Sequence, residues 1–254
     1  RELWLGSYFD GLTRMNKQTG KCQDATSLLQ GNLSTGKPKV SCITEDKEKN
    51  LWVGTYGSGL YKINLPTQHV TYYESTRNEN DDWSINRLPN DWISCLLEDK
   101  EGKLWIGTYK GLAVLNPQTN NFIEYKKQNN LLPGYVVYSL LESTKGEIWA
   151  GTSEGLVCMN KKDLIPVHFT TADGLPSDII CGLAEDEKGN IWISTHQGIS
   201  KLNPQEKKFI NYYAGDGLQG NEFTRTAVFK DKRGKIFFGG TNGVTAFYPQ
   251  DITE

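Results

Sequence analysis

The sequence predicts an all-β fold, a β-propeller built from four-stranded antiparallel blades, and three observations carry that prediction. A short phrase recurs six times: "LWLGSYFDGLTRMN" from residue 3, "LWVGTYGSGLYKIN" from 51, "LWIGTYKGLAVLN" from 104, "IWAGTSEGLVCMN" from 148, "IWISTHQGISKLN" from 191 and "IFFGGTNGVTAFYP" from 236. Its aromatic marker falls at Trp4, Trp52, Trp105, Trp149, Trp192 and Phe237, with spacings of 48, 53, 44, 43 and 45 residues, a blade-sized period. The apolar runs between markers are short, rich in β-branched and aromatic residues, and bounded by Gly, Asn, Asp and Pro. They lack the three- and four-residue spacing that a helix needs to bury one face.

Each repeat parses into strands in the same order. The first strand is "VSCITED" (40–46), "ISCLLED" (93–99), "VYSLLES" (137–143), "IICGLAED" (179–186) and "RTAVFKD" (225–231). A hairpin turn follows in which Asp opens the turn and, in most copies, Gly supplies the positive φ that closes it. The second strand carries the marker, and the third is of the "GLAVLN" type. "NPQT" (116–119) and "NPQE" (203–206) then turn the chain into outer strands such as "NFIEYKK" (121–127) and "KFINYYA" (208–214). The parse yields strands two to four of one blade, four whole blades and strands one to three of a last, 22 in all. The expectation is one propeller segment over residues 1–254, an incomplete six-repeat portion of a seven-bladed propeller.

An aromatic at one strand position in every blade fills the wedge between neighbouring sheets. The small residues two places on, Gly54, Gly107, Gly151 and Ser194, let adjacent backbone approach closely. Both are scaffold features.

Composition narrows the functional classes. A net charge of −2 and a pI near 6.0 give no basic footprint for nucleic acid. No apolar run reaches the length of a membrane-spanning helix. The chain opens mid-repeat at Arg1 without Met, which reads as a piece of something longer.

Cys42, Cys95 and Cys181 are read as one innermost-strand slot that Ser139 and Ala227 fill elsewhere, a slot selecting small size. No C-x-x-C pair points to zinc or redox chemistry, and the odd count of five tells against a disulfide framework, with a Cys22 to Cys158 bridge left open. His69, His168 and His196 have no partner at ligand spacing, so neither a metal nor a cofactor is expected.

Propeller connectivity sends the loops between strands two and three, and those between blades, to one face. That face collects Tyr8, Asp10, Tyr56, Tyr109, Lys110, Glu154, His196, Gln197 and Asn242 from the short loops. Longer connectors at 76–92, 129–138, 173–178 and 215–225 break the repeat, and departures from a repeat carry functional weight because its constants already have a packing explanation. The expected ligand contacts are Trp83, Arg87, Trp92, Tyr109, Tyr135, His196, Asn221 and Arg225: aromatics to stack on a flat hydroxylated ligand, polar tips to bond its edge. The other reading of Trp83 and Trp92 is that they pin a long loop to the blade.

The phrase "EDKEGKLWIGTYKGLAVLNPQTNNFIEY" resembles the repeat of two-component-regulator propellers, and "GLQGNEFTRTAVFKDKRGKIFFGGTNGVTAFYPQDI" resembles the distinctive last repeat of that family. The resemblance covers essentially the whole chain. It implies the C-terminal part of the second propeller of a periplasmic sensor, in hybrid two-component systems of the kind Bacteroidetes use to detect polysaccharide breakdown products. It further implies an oligosaccharide ligand and a homodimer. The histidine kinase, regulator and membrane helix of such a receptor would lie elsewhere in its chain. Two other classes stay open: a structural or protein-interaction propeller, and an enzyme like the streptogramin lyases, which rely on His and an acidic base beside a metal. For the enzyme this chain offers His196, with Glu154 and Glu222.

Overall fold

The computed structural model describes residues 2–29, 36–75, 87–123, 131–132 and 135–252. The chain divides into two compact units, Arg1–Gly134 and Tyr135–Glu254, each carrying three antiparallel blades of a β-propeller. In the first unit, β1 (Glu2–Ser7), β2 (Gly11–Asn16) and β3 (Cys22–Asp24) form one blade. The second blade is β4 (Val40–Glu45), β5 (Asn50–Thr55), β6 (Leu60–Asn64) and β7 (Val70–Tyr73). The third is β8 (Ile93–Glu98), β9 (Leu104–Thr108), β10 (Gly111–Asn116) and β11 (Asn121–Phe122).

In the second unit, the fourth blade is β12 (Val137–Glu142), β13 (Glu147–Thr152), β14 (Gly155–Asn160) and β15 (Pro166–Phe169). The fifth is β16 (Ile180–Glu185), β17 (Ile191–Thr195), β18 (Gly198–Asn203) and β19 (Lys208–Tyr212). The last is β20 (Phe223–Lys230), β21 (Ile236–Gly240) and β22 (Gly243–Phe247). Among the described residues this makes 22 strands in the predicted distribution, and the helical turns are short 3-10 segments such as Thr171–Asp173 and Ala214–Asp216.

The repeated Trp is buried in the four complete blades. Trp52, Trp105, Trp149 and Trp192 are each at most 2% exposed, whereas Trp4, in the three-stranded first blade, is half-buried. Trp52 packs with Ile93, Leu104 and Ile106 of the next blade, Trp149 with Ile180 and Ile191, and Trp192 with Phe223, Ile236 and Phe238. On its own blade the same ring is stacked by an outer-strand aromatic: Tyr73 on Trp52, Phe169 on Trp149 and Tyr212 on Trp192, at centroid distances of 5.9, 6.1 and 5.7 Å. The small residue two places on admits the next blade. A Cβ on Gly54 would lie 2.5 Å from Cys42 Sγ and 2.7 Å from Ile93 Cγ2.

Every complete blade also carries a bulge in its inner strand, and this corrects one sequence expectation. Cys42 faces Gly54, Cys95 faces Gly107 and Ser139 faces Gly151, but the residue facing Ser194 is Gly182. Cys181 is therefore the bulge residue itself, equivalent to Ser41, Ser94 and Tyr138, and not the occupant of the small-residue slot. Counting this strand from Ile179, one residue early, sets Cys181 level with Cys42, whereas counting back from the closing Glu-Asp sets Gly182 there. None of the five cysteines forms a disulfide.

Candidate functional site

The turns between the second and third strands are placed by one repeated backbone bond. The N–H of Tyr56 donates to Lys39 O at 2.9 Å, that of Tyr109 to Trp92 O at 3.0 Å, and that of His196 to Ile179 O at 3.3 Å. Ser153 bonds Val136, and Thr241 bonds Glu222, in the same way. Each turn side chain thus sits beside the residue that leads into an inner strand.

In the first unit this device gathers aromatics. Tyr56 and Trp92 share an isolated bridge. The Trp92 ring meets Tyr56 at 6.2 Å and Tyr109 at 5.4 Å, both edge-on, and Tyr56 meets Tyr109 at 5.9 Å. Tyr8 extends the row, 5.8 Å from Tyr56 and 5.1 Å from Phe9. Lys39 closes its end: its Nζ donates to Tyr8 Oη at 3.2 Å and lies 4.6 Å from the ring centroid. The row is open to solvent, with Tyr8 46%, Trp92 50% and Phe9 82% exposed. Burial, then the adjacent Tyr109 phenol, push Tyr56 up to about 12, so the hydroxyl stays protonated and able to donate. Edge-on rings with phenol tips form an amphipathic platform, apolar on the faces and hydrogen-bonding at the rim.

The connector leading to Trp92 is fixed from behind. Asp91 accepts from Ser75 N at 2.6 Å and Ser75 Oγ at 2.7 Å, while its carbonyl accepts from Gly57 and Gly59. The Trp92 carbonyl accepts from Tyr109 N, which anchors the connector, and its indole remains half exposed. Arg87 is half-buried beside Leu88, which belongs to the core between the second and third blades. Trp83 lies outside the described residues.

In the second unit the expected residues are dispersed. Tyr135 turns its ring onto His168 of β15 at 5.8 Å. His196 is half-buried in its turn. Asn221 accepts from Ala214 N at 2.7 Å through its side chain and from Gly198 N at 2.6 Å through its carbonyl. Asp178 makes the same pair of bonds to Thr171 and Gly155 one blade earlier, as does Asp91, so Asn221 holds a repeat-wide scaffold position. Arg225 is exposed, with its guanidinium 4.5 Å from the Tyr138 ring. Trp92 and Tyr109 are the expected residues that meet. Their partners Tyr8 and Tyr56 had a sequence signal that was not used for contacts: Tyr at the same turn offset in three successive repeats.

The family described as "Two component regulator propeller" matches residues 36–57, 87–110 and 174–197. Each stretch runs from a connector through an inner strand and the buried Trp to the strand-two turn, ending just past Tyr56, Tyr109 and His196. The chain carries two-component regulator propeller repeats. The extracellular domain of the hybrid two-component system BT3049 of B. thetaiotaomicron aligns at 27% identity and a TM-score of 0.81, over 98% of this chain and 32% of that one. The corresponding domain of BT4673, from the same organism, aligns at 21% and 0.73 over 96% and 30%, a likeness of fold. This chain thus spans about a third of the length of those domains. Virginiamycin B lyase of Staphylococcus aureus aligns at 12% and 0.67, over 99% of this chain and 82% of the enzyme, which again is shared fold. No functionally curated protein matches.

Proposed function

We propose that the chain is the ligand-sensing part of a hybrid two-component receptor, periplasmic in location, and that its ligand is an oligosaccharide stacked on the platform of Tyr8, Tyr56, Trp92 and Tyr109. The single observation that carries this reading is the row itself. Packing of the repeat requires no aromatic at the strand-two turn, since Ser153, His196 and Thr241 stand there in other blades. Three successive blades nevertheless present Tyr, and a half-exposed Trp joins them. Sugar rings offer C–H faces for such stacking and hydroxyls for the phenol rim.

In this reading residues 1–254 form one propeller segment, and the signal passes through a homodimer of the intact receptor. Any ligand that switches it must bind two receptor arrangements with different affinity, since equal affinity shifts nothing. The test is calorimetry of the receptor's complete extracellular region against a panel of oligosaccharides. Saturable heat with at least one of them is expected. Silence across the panel from folded protein would leave a structural or protein-interaction propeller as the better account, with Phe9 and Trp92 as its contact surface.

A further inference from the structure

The turns between first and second strands leave a cavity between neighbouring blades, and its charge differs in sign between the two units. In the first unit a cavity of about 180 Å³ between the second and third blades is lined by Asp46, Glu48, Glu98 and Glu101, with Lys47 and Lys100. In the second unit the corresponding cavity, about 250 Å³ between the fourth and fifth blades, is lined by Lys145, Lys188 and Lys201 with Asn190, Asn203 and Gln205. The correspondence holds residue by residue. Lys145 is two places past Ser143 as Glu48 is two past Asp46, and Lys188 is two past Asp186 as Glu101 is two past Asp99. Blade packing accepts either sign at these positions, so it does not account for the lysines. Nor does a basic surface, since the net charge of the chain is −2.

Among the described residues no carboxylate lines the second cavity, and the acidic groups beside it are turned elsewhere. Glu185 accepts from Thr144 N at 2.7 Å and Thr144 Oγ1 at 2.8 Å. Asp186 accepts from the N–H groups of Lys188 and Asn190, the Asn190 side chain and the Trp192 indole. Glu187 is directed to the last blade, its Oε1 3.3 Å from where a Cβ on Gly234 would lie. These bonds also fix the backbone that carries the lysines: Glu185 ties the turn of Lys145 to the fifth blade, and Asp186 closes the turn of Lys188. Lys201 stands on β18 with its Nζ 5.8 Å from the Trp192 ring centroid. Three like charges on separately fixed segments repel one another, and an anion among them relieves that repulsion. An ammonium is a point charge without the planar fork by which Arg grips a carboxylate, so lysines from several directions match a tetrahedral oxyanion better than a planar one.

We propose that this cavity is a second binding site, which takes a tetrahedral oxyanion, a phosphate or sulfate group, on Lys145, Lys188 and Lys201. It shares no residue with the aromatic platform and does not depend on what the platform binds. A free inorganic anion and a phosphorylated or sulfated sugar carry the same chemistry, and the test separates these sources.

The experiment titrates the whole chain, in chloride buffer, with sodium phosphate, sodium sulfate, glucose 6-phosphate, glucose 6-sulfate, glucuronate and glucose, followed by calorimetry. At least one phosphate or sulfate compound should bind saturably and about tenfold or more tighter than glucuronate, with an affinity that falls as ionic strength rises. The pair Lys145→Gln and Lys188→Gln should weaken that binding about tenfold or more, whereas Lys145→Arg with Lys188→Arg should keep most of it, because the charge survives. Thermal melts check folding, and Lys188→Gln alone serves if the pair lowers the melting temperature. Removing two charges outside the cavity, Lys17→Gln with Lys21→Gln, should change affinity less than about twofold. A sugar ester that binds tighter than its free anion assigns the sugar as the source; equal or weaker binding assigns the free anion. The proposal is overturned if no phosphate or sulfate compound saturates, if glucuronate binds as tightly, or if the Lys17 and Lys21 pair weakens binding as much as the Lys145 and Lys188 pair.

Discussion

The indole nitrogen of Trp52 donates to the carboxylate of Asp46 across 2.8 Å, six residues back along the same hairpin. Trp105 and Asp99 repeat the bond at 2.9 Å, and Trp192 and Asp186 at 3.0 Å. Asp46 also accepts from the N–H groups of Glu48 and Asn50 and from the Asn50 side chain. One buried carboxylate therefore closes the turn and orients the ring that fills the wedge between blades. Removing it takes the acceptor from a buried indole N–H and from the side-chain N–H of the buried Asn50. Asp46→Ala should cost about 3 kcal/mol, since each charge-assisted bond is worth roughly 1.5–3 and orphaned donors add a penalty. Urea denaturation measures this, and a loss under about 1 kcal/mol would mean that the turn holds itself.

Asp186 makes the same device pH-dependent. Burial disfavours its charged form, but hydrogen bonds from Asn190, Trp192 and the backbone outweigh burial and hold the carboxyl below its ordinary 3.8. A depressed folded value means that the contribution is complete above the unfolded value and is lost as pH falls through the folded one. Stability should accordingly drop on acidification below about pH 4. Asp186→Asn should start less stable at neutral pH and show a flatter acid limb, as followed by melting temperature from pH 6 to pH 2.5. An unchanged acid limb in the variant would assign the acid sensitivity to other carboxylates.

The fourth blade lacks this lock, and the lack is visible as an unpaired group. Ser143 stands where the others have Asp, and among the described residues the buried Trp149 Nε1 has no hydrogen-bond partner. Glu147 occupies the position of Asn50 and approaches Ser143 Oγ at 3.4 Å. Ser143→Asp alone would set two carboxylates side by side, so it should gain little or lose. Combined with Glu147→Asn it rebuilds the arrangement of the second blade and should add about 1 kcal/mol. A thermal-melt cycle of the two single variants and the double reads the coupling directly. Additive effects would show that the indole does not use the restored carboxylate.

The strand order was legible because blade period, turn residues and alternating apolar runs are local, and they agree with one another at every repeat. What was illegible depends on register and direction. Cys181 looks equivalent to Cys42 only when its strand is counted from Ile179; the pairing of Gly182 with Ser194 sets Cys181 level with Ser41 instead. Asn221 looked like a departure from the repeat, although Asp91 and Asp178 make its bonds in other blades, because Asp and Asn differ in letter and coincide in acceptor geometry. Tyr135 and Trp92 both lie in connectors, but their rings turn opposite ways, one onto outer-strand His168 and one onto Tyr109. Sequence places a residue in a loop; it does not aim it.

The thiols offer a separate check on the inner strands. Burial pushes Cys42 and Cys181 up to about 12, pushes Cys158 there with help from Glu147, and raises Cys95 further, while Cys22 is exposed. At pH 8 one of the five thiols should react readily with an aromatic disulfide reagent, and Cys22→Ser should abolish that fast phase. The other four should appear only on unfolding. Rapid labelling of Cys42 or Cys95 in native protein would show that the blade centres open.

The last prediction separates the two kinds of Trp. Trp92 is half exposed and touches Tyr56 and Tyr109 at the platform, whereas Trp149 is 2% exposed within the core. Truncating an interior Trp removes its transfer free energy and leaves a cavity, so Trp149→Ala should cost about 3–5 kcal/mol and unfold much of the sample. Trp92→Ala removes one wall of a solvent-facing row and leaves the backbone bond from Tyr109 N to the residue 92 carbonyl in place. It should therefore cost under about 1.5 kcal/mol of stability. If the row holds a sugar, losing a central stacking partner should weaken binding by about 2 kcal/mol, roughly thirtyfold. Tyr56→Phe, which keeps the ring and deletes the hydroxyl, should lose less, about threefold to tenfold. Calorimetry and urea denaturation on the same preparations give both numbers. A Trp92→Ala protein that binds every bound oligosaccharide as tightly as wild type would remove the platform from the site, whatever it does to stability.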